Sequence, residues 1–269
     1  MKDVSGLKGV PETMLIPVWA RAQETMRDDR MIEDRIAIDI VNSVEYDFSI
    51  FGDNKNFYKT QVGVAARTKI LDSIAIDYIE KNPHGTIINI GAGLDTRSER
   101  LSLDNVKWFD LDLPEGIEIR KEFFEENENR KFISDSVLDL DWIDSIEDRE
   151  NVLFIAEGIF MYFDFEQIRT LLVTLASYFT NSEIVFEAMD PIAIGKAKHH
   201  ESVKKLKSSS EFKSGFRSGK EIEDYDNRLN FEKEWYHFDY GGARWKSMRL
   251  LWLIPRFKRM MKIIKIKIN

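Results

Sequence analysis

Cysteine is absent from this chain of 269 residues, which excludes disulfides, thiolate metal sites and a cysteine nucleophile together. No apolar run approaches the ~18–20 residues that a membrane span requires. Met1-Lys2-Asp3-Val4-Ser5-Gly6 also lacks the apolar stretch of a secretory signal. These absences lead to the expectation of a cytoplasmic protein with no membrane partner. Cations are in deficit: 39 Lys and Arg against 47 Asp and Glu leave a net charge of -8. Phosphate binding draws on clustered Lys and Arg, so nucleic acid is not the expected partner. The four histidines, His84, His199, His200 and His237, form no ligand pattern with carboxylates, and no metal is expected. No internal repeat, low-complexity tract or Pro/Gly-rich linker divides the chain, which favours one domain over 1–269.

What is present suits a folded enzyme-sized core, since 43% of the residues are hydrophobic. Helical spacing runs from about Pro17 to Ile40 and again from about Phe57 to Glu80, with a polar loop over 46–56 between them. Residues 1–80 therefore form a helical extension. Short apolar strands follow: Thr86–Ile90, Lys107–Leu111, Lys131–Ser134, Asn151–Ala156 and Glu183–Ala188. Helices fit between them near Arg97–Leu101, Glu115–Asn127, Ser136–Ile146 and Phe165–Phe179. That alternation predicts an α/β, Rossmann-like fold: a mostly parallel sheet with helices on both faces and ligands at the carboxyl edge. Strands near Phe231–His237 and Lys262–Ile268 bring the sheet to seven. The stretch 195–226 is Lys- and Ser-rich with weak periodicity and reads as an inserted lid. Its Phe212, Phe216 and Tyr225 would suit an aromatic or amphipathic acid. Nothing after Asp239 is acidic, and Arg256-Phe257-Lys258-Arg259 reads as a solvated helix face before an edge strand rather than a lipid contact.

Gly91-Ala92-Gly93 follows the first strand directly, where two glycines permit a sharp turn and close approach to a ligand. Thr96 stands where the dinucleotide fingerprint asks for a third glycine, which weakens an NAD-linked oxidoreductase. Asp112 ends the second strand, placed to accept both hydroxyls of a ribose, with Asp110 as its rival. Asp135 and Ser136 follow the third strand, as adenine contacts or simply a helix N-cap. Glu157 closes an otherwise apolar strand and so points into the crevice or bears a desolvation cost, which a cofactor ammonium would relieve.

The strings Asn89-Ile90-Gly91-Ala92-Gly93-Leu94-Asp95-Thr96-Arg97, Asp110–Pro114 and Ala156–Phe163 together resemble the leucine carboxyl methyltransferase family. Within it they are most similar to the bacterial small-molecule branch of tetracenomycin-pathway-type O-methyltransferases. The resemblance extends from about Thr13 to the C-terminus and implies a class I methyltransferase fold with S-adenosylmethionine as cofactor. It implies that Arg67 grips the cofactor's carboxylate, and that Gly91, Ala92 and Gly93 turn around its methionine part. Asp112 would hold the ribose, Asp135 and Ser136 the adenine, and Glu157 the amino group, while Tyr162 lies near the methyl acceptor. Arg21 is either a further contact or a surface helix arginine. Ile133–Val137 departs furthest from the family pattern. The expected activity is methyl transfer to a carboxylate or hydroxyl of a small molecule. A protein C-terminal carboxylate as acceptor and a non-catalytic cofactor-binding protein are the alternatives. A carboxylate acceptor needs no general base, and none of the four histidines suggests one.

Overall fold

The computed structural model describes residues 13–51, 54–101, 105–195 and 211–269. At its centre is a seven-stranded sheet: β1 (Thr86–Ile90), β2 (Lys107–Asp112), β3 (Arg130–Ser134), β4 (Val152–Ala156), β5 (Ser182–Met189), β6 (Leu229–Tyr236) and β7 (Met261–Ile268). The order is β3-β2-β1-β4-β5-β7-β6. β1 to β5 are mutually parallel, and β7 runs antiparallel to both of its neighbours. β1 and β4 are buried at every position, as expected for strands covered on both faces.

β7 is not the edge strand that its alternating Ile and Lys residues suggest. It lies between β5 and β6, with Ile263, Ile264, Ile266 and Ile268 fully buried. Two of its lysines reach partners, while Lys267 stays exposed. Lys265 Nζ lies 2.8 Å from Glu183, and the buried Lys262 Nζ donates to the carbonyls of Phe216 and Arg217. A long aliphatic stem lets lysine occupy a covered strand when its head finds acceptors.

The helices are α1 (Leu15–Thr25), α2 (Arg35–Ser43), α3 (Asn54–Lys81), α4 (Arg97–Arg100), α5 (Pro114–Lys121), α6 (Phe165–Tyr178) and α7 (Pro255–Lys258). The spacing from Pro17 to Ile40 thus belongs to two helices. The polar run Arg27-Asp28-Asp29-Arg30 separates them, and Asp34 caps the second by accepting the Ala37 N–H at 2.9 Å. The predicted loop before α3 contains a 3-10 turn, Phe48–Phe51, and α3 already begins at Asn54. No helix spans 136–146. Leu140 has φ 67, which breaks the chain's helical path and leaves only the 3-10 turn Asp141–Ser145. α5 stops at Lys121, short of Asn127.

One core lies between the sheet and α6, around Phe154, Phe160, Leu172, Phe179 and Phe186. The opposite core packs Ile70, Leu71, Ile74 and Tyr78 of α3 on Ile87, Leu153, Val185 and Ile263. α3 matters most for the site. Its end at Lys81 turns back into β1, so Arg67, fourteen residues earlier, stands about 21 Å up the helix. Five strand residues rise about 17 Å, which brings Arg67 level with the carboxyl edge of the sheet.

Candidate active site

The turn after β1 needs its glycines: Gly91 has φ +65 and Gly93 φ +47. The N–H groups of Gly91 and Ala92 both donate to the Leu111 carbonyl, at 2.8 and 3.2 Å. A Cβ on Gly91 would fall 2.6 Å from Ile159 Cδ1. Gly91→Ala should therefore cost about 1–2 kcal/mol from left-handed backbone strain alone, and weaken cofactor affinity with it. Thermal unfolding checks this, and an unchanged midpoint would show that the turn tolerates a side chain.

Two buried guanidiniums hold the turn from behind. Arg120 Nη1 donates to the carbonyls of Gly93 and Asp95 at 3.0 and 2.8 Å, and Arg21 Nη2 donates to that of Leu94 at 2.9 Å. Arg21 is thus buried rather than a surface residue. It pairs with Asp34 at 2.7 Å and supports the loop. Arg120 pairs with Asp110 at 2.7 Å, and Asp110 also accepts from Trp108 Nε1 at 2.8 Å and Asn89 Nδ2 at 3.0 Å. Asp110 is completely buried and fully engaged, which leaves Asp112 as the acid at the strand end.

Asp112 accepts the Gly93 N–H and the Leu113 N–H, each at 2.7 Å. Burial pushes its carboxyl up, and those two N–H groups pull it back. Gly116 of α5 gives this acid room, since a Cβ there would lie 2.7 Å from Asp112 Cγ. Asp135 and Ser136 lie beside it, and the Asp135 N–H donates to the Asp112 carbonyl at 3.0 Å. They cap a turn instead of a helix: Asp135 accepts the Ser136 N–H at 2.8 Å and Ser136 Oγ accepts the Leu138 N–H at 3.2 Å.

On the other side of the turn runs a chain of ion pairs. Arg67 donates through Nε to Glu157 and through Nη1 to Glu187, each at 2.8 Å. Glu157 also meets Arg97 at 2.9 Å, and Arg97 continues to Asp95 and, at 2.8 Å, to Asp72. Asp72 meets Arg100 at 2.6 Å, which approaches Asp34 at 3.6 Å. Burial alone would raise the Glu157 carboxyl, but Arg67 and Arg97 outweigh it and hold the group well below the usual carboxylate range. The desolvation of Glu157 is therefore already answered by two arginines. Arg67 keeps one nitrogen, Nη2, with no hydrogen-bond partner among the described residues.

Tyr162 ends the 3-10 turn Phe160–Tyr162, with its ring 5.7 Å from that of Phe212. Burial, and then the neighbouring Glu187, push its phenol up, so it stays an O–H donor near neutral pH. Phe212 and Phe216 are buried, Phe216 inside the main core. Residues 196–210 of the stretch expected to be a lid, with His199 and His200, lie outside the described residues. Among the described residues no group of His, Asp and Glu could hold a metal ion, and no helix is long and apolar enough to cross a membrane.

The sequence did not single out Glu187, which sits inside an apolar strand, or give His237 a role. Glu187 was legible as a lone acid in Ile184-Val185-Phe186-Glu187-Ala188, the same signal that drew attention to Glu157. His237 follows β6, whose place beside β7 brings it over Glu187, and no local pattern reports that.

The sheet order with one antiparallel strand, the glycine turn after β1 and the acid ending β2 define a Rossmann-like methyltransferase fold. The magnesium protoporphyrin IX methyltransferase of Synechocystis PCC 6803, solved with bound S-adenosylmethionine, superimposes with a TM-score of 0.50 at 11% identity. The match covers 94% of this chain and 97% of that one. The chain belongs to the leucine carboxyl methyltransferase family, whose model matches residues 14–176. It is 26% identical over 240 residues to the tetracenomycin polyketide synthesis O-methyltransferase TcmP of Streptomyces glaucescens, covering 89% of this chain and 87% of that protein. It is also 26% identical over 206 residues to the S-adenosyl-L-methionine-dependent methyltransferase dpfgK of Gibberella zeae, covering 70% and 68%.

Proposed function

We propose that this S-adenosylmethionine-dependent methyltransferase transfers its methyl group to an oxygen, a carboxylate above all, of a small molecule in secondary metabolism, polyketides included. The supporting observation is the convergence of Arg67, Glu157, the turn at Gly91-Ala92-Gly93 and Asp112 on one edge of the sheet. All of them fall inside the segment matched by the family model.

The residues suit the cofactor's chemistry. Arg67 Nη2 is the donor left for its carboxylate, Asp112 is the strand-end acceptor for ribose hydroxyls, and Asp135 with Ser136 lies next to Asp112 for the adenine. Glu157, held anionic, attracts the amino group. When bound, S-adenosylmethionine supplies a methyl group activated on sulfonium sulfur. The chain's task is to align an acceptor oxygen and exclude water. Tyr162, a phenol kept protonated, donates a hydrogen bond that orients an anionic oxygen. A carboxylate is already ionised at neutral pH and asks for no base. The similarity to TcmP supports the acceptor class, and the absence of cysteine agrees with a cytoplasmic setting.

Incubation with methyl-labelled cofactor and a panel of aromatic and polyketide acids and phenols tests the reading. Label recovered as a base-labile ester is expected. Label found only on nitrogen or on protein would overturn it. Tyr162→Phe should lower kcat about 10- to 100-fold, the range of one lost charge-assisted hydrogen bond. Its cofactor affinity should change little, and a defect confined to cofactor binding would remove Tyr162 from the acceptor side.

A further inference from the structure

Glu187 and His237 are completely buried at the carboxyl edge of the sheet, and each carries one polar atom with no hydrogen-bond partner. The two orphan atoms face each other: His237 Nε2 lies 3.7 Å from Glu187 Oε1. Two acceptors without a proton between them would both bear a desolvation cost, and natural cores rarely leave such a pair unsatisfied. The other oxygen of Glu187, Oε2, accepts from Arg67 Nη1 at 2.8 Å.

We infer that Glu187 and His237 hold one proton between them, and that this neutral pair positions Arg67 for the anionic end of the cofactor. The inference rests on the reading of Arg67 as the carboxylate-binding residue. Protonated on Oε1, Glu187 donates to His237 Nε2, while its Oε2 remains a carbonyl acceptor for Arg67. A small side-chain rotation closes 3.7 Å to hydrogen-bond length.

The charge balance of the surroundings agrees. The chain of ion pairs contains four arginines, Arg21, Arg67, Arg97 and Arg100. Facing them are five acids, Asp34, Asp72, Asp95, Glu157 and Glu187. One neutral acid balances it, and Glu187 is the member with an orphan oxygen and a buried imidazole beside it. The groups that act on the pair are Arg67 from α3, Glu157 after β4, the phenol of Tyr162 and the Gly158 main-chain N–H, which with Arg67 pulls the Glu187 carboxyl down against its burial. β7 adds no charge there, since Ile263 lies opposite Glu187, Lys262 is bound to carbonyls, and Lys265 pairs with Glu183 and Glu232. Burial raises the Glu187 carboxyl against the pull of Arg67, whereas Arg67 and Arg97 keep Glu157 ionised. Burial, with Arg67 adding to it, pushes His237 down to about 3, so the imidazole is neutral, and the proposed pair forms with its proton on Nδ1, which leaves Nε2 as the acceptor. A permanent anion at Glu187 would compete with the cofactor's carboxylate for the same guanidinium. A neutral acid orients Arg67 without setting a second anion beside Glu157 against the ligand's carboxylate.

The test is calorimetric titration with S-adenosylhomocysteine from about pH 6 to about pH 9, on wild type, Glu187→Gln, His237→Leu and Arg67→Lys. Infrared spectra of the proteins without ligand accompany it. Glu187 ionises as pH rises, so wild-type affinity should fall by up to about tenfold per pH unit above its midpoint. That fall should be absent in Glu187→Gln, and the wild-type-minus-variant infrared spectrum should contain a protonated carboxyl C=O stretch. His237→Leu, which removes the acceptor, should move the midpoint down. If that variant does not fold, the Glu187→Gln comparison decides alone. Glu187→Gln weakening binding by the same factor at every pH, with no carboxyl band lost, would overturn the inference. In that case a weak Arg67→Lys would leave the pocket where it is. Undiminished affinity in Arg67→Lys would overturn the placement of the cofactor and the inference together.

Discussion

Arg67→Ala is expected to lower affinity for S-adenosylhomocysteine by about 10- to 100-fold, the size of one lost charge-assisted hydrogen bond from Nη2. It should also destabilise the fold. Arg67 joins Glu157 and Glu187, whose side chains are only 12% and 1% exposed. Removing one partner of a buried pair costs roughly 3–5 kcal/mol, and the low end applies because Arg97 still neutralises Glu157. A chain of this size loses about 2–4 °C per kcal/mol, so the melting midpoint should fall by on the order of 10 °C. Both quantities come from one preparation, by titration calorimetry and thermal unfolding. Wild-type affinity in a folded Arg67→Ala protein would mean that the cofactor binds elsewhere.

Asp112→Ala should give the opposite combination. Two ribose hydroxyls at about 1.5–3 kcal/mol each correspond to a loss of at least about a hundredfold in affinity. Stability should change little. Burial raises the Asp112 carboxyl against the help of the Gly93 and Leu113 N–H groups, so removing it also removes a desolvation cost. Gly93 lies in a turn that Arg120 and Arg21 hold independently. Asp112→Asn, which keeps one acceptor oxygen, should fall between alanine and wild type. A variant that melts early yet binds normally would make Asp112 a structural acid and leave the ribose without a partner.

The contrast rests on how the two residues are held. Arg67 belongs to a connected set of guanidiniums and carboxylates running from α1 to β5, so its loss is felt along the chain. Among the described residues Asp112 accepts hydrogen bonds only from the main-chain N–H groups of Gly93 and Leu113. The connected set also explains how the N-terminal helices take part in the site without facing it. Arg21 reaches the Leu94 carbonyl, and Asp34, which caps α2, accepts from Thr96 Oγ1 at 2.7 Å. Thr96 is the residue standing where a dinucleotide fold would have its third glycine. Here its hydroxyl ties the turn to the helical extension.

By itself the sequence determined the elements whose signals are local. Continuous apolar runs made β1 and β4 legible, because a strand covered on both faces has no polar side to show. Gly91 and Gly93 declared a sharp turn, and Asp112 and Glu157 stood out as acids ending apolar strands. Tertiary structure decided what depends on partners distant in the chain. β7 lies inside the sheet, where Glu183, Glu232 and two loop carbonyls accept from Lys265 and Lys262. Asp110 and Asp112, two residues apart in one strand, are divided between Arg120 and the glycine turn. Glu157 meets Arg67 and Arg97, 90 and 60 positions away. His237 comes over Glu187 only because β6 and β7 fold back on β5. Hydrophobic periodicity reports which side of an element is buried, but the pairing of buried charges is set by where separate elements meet.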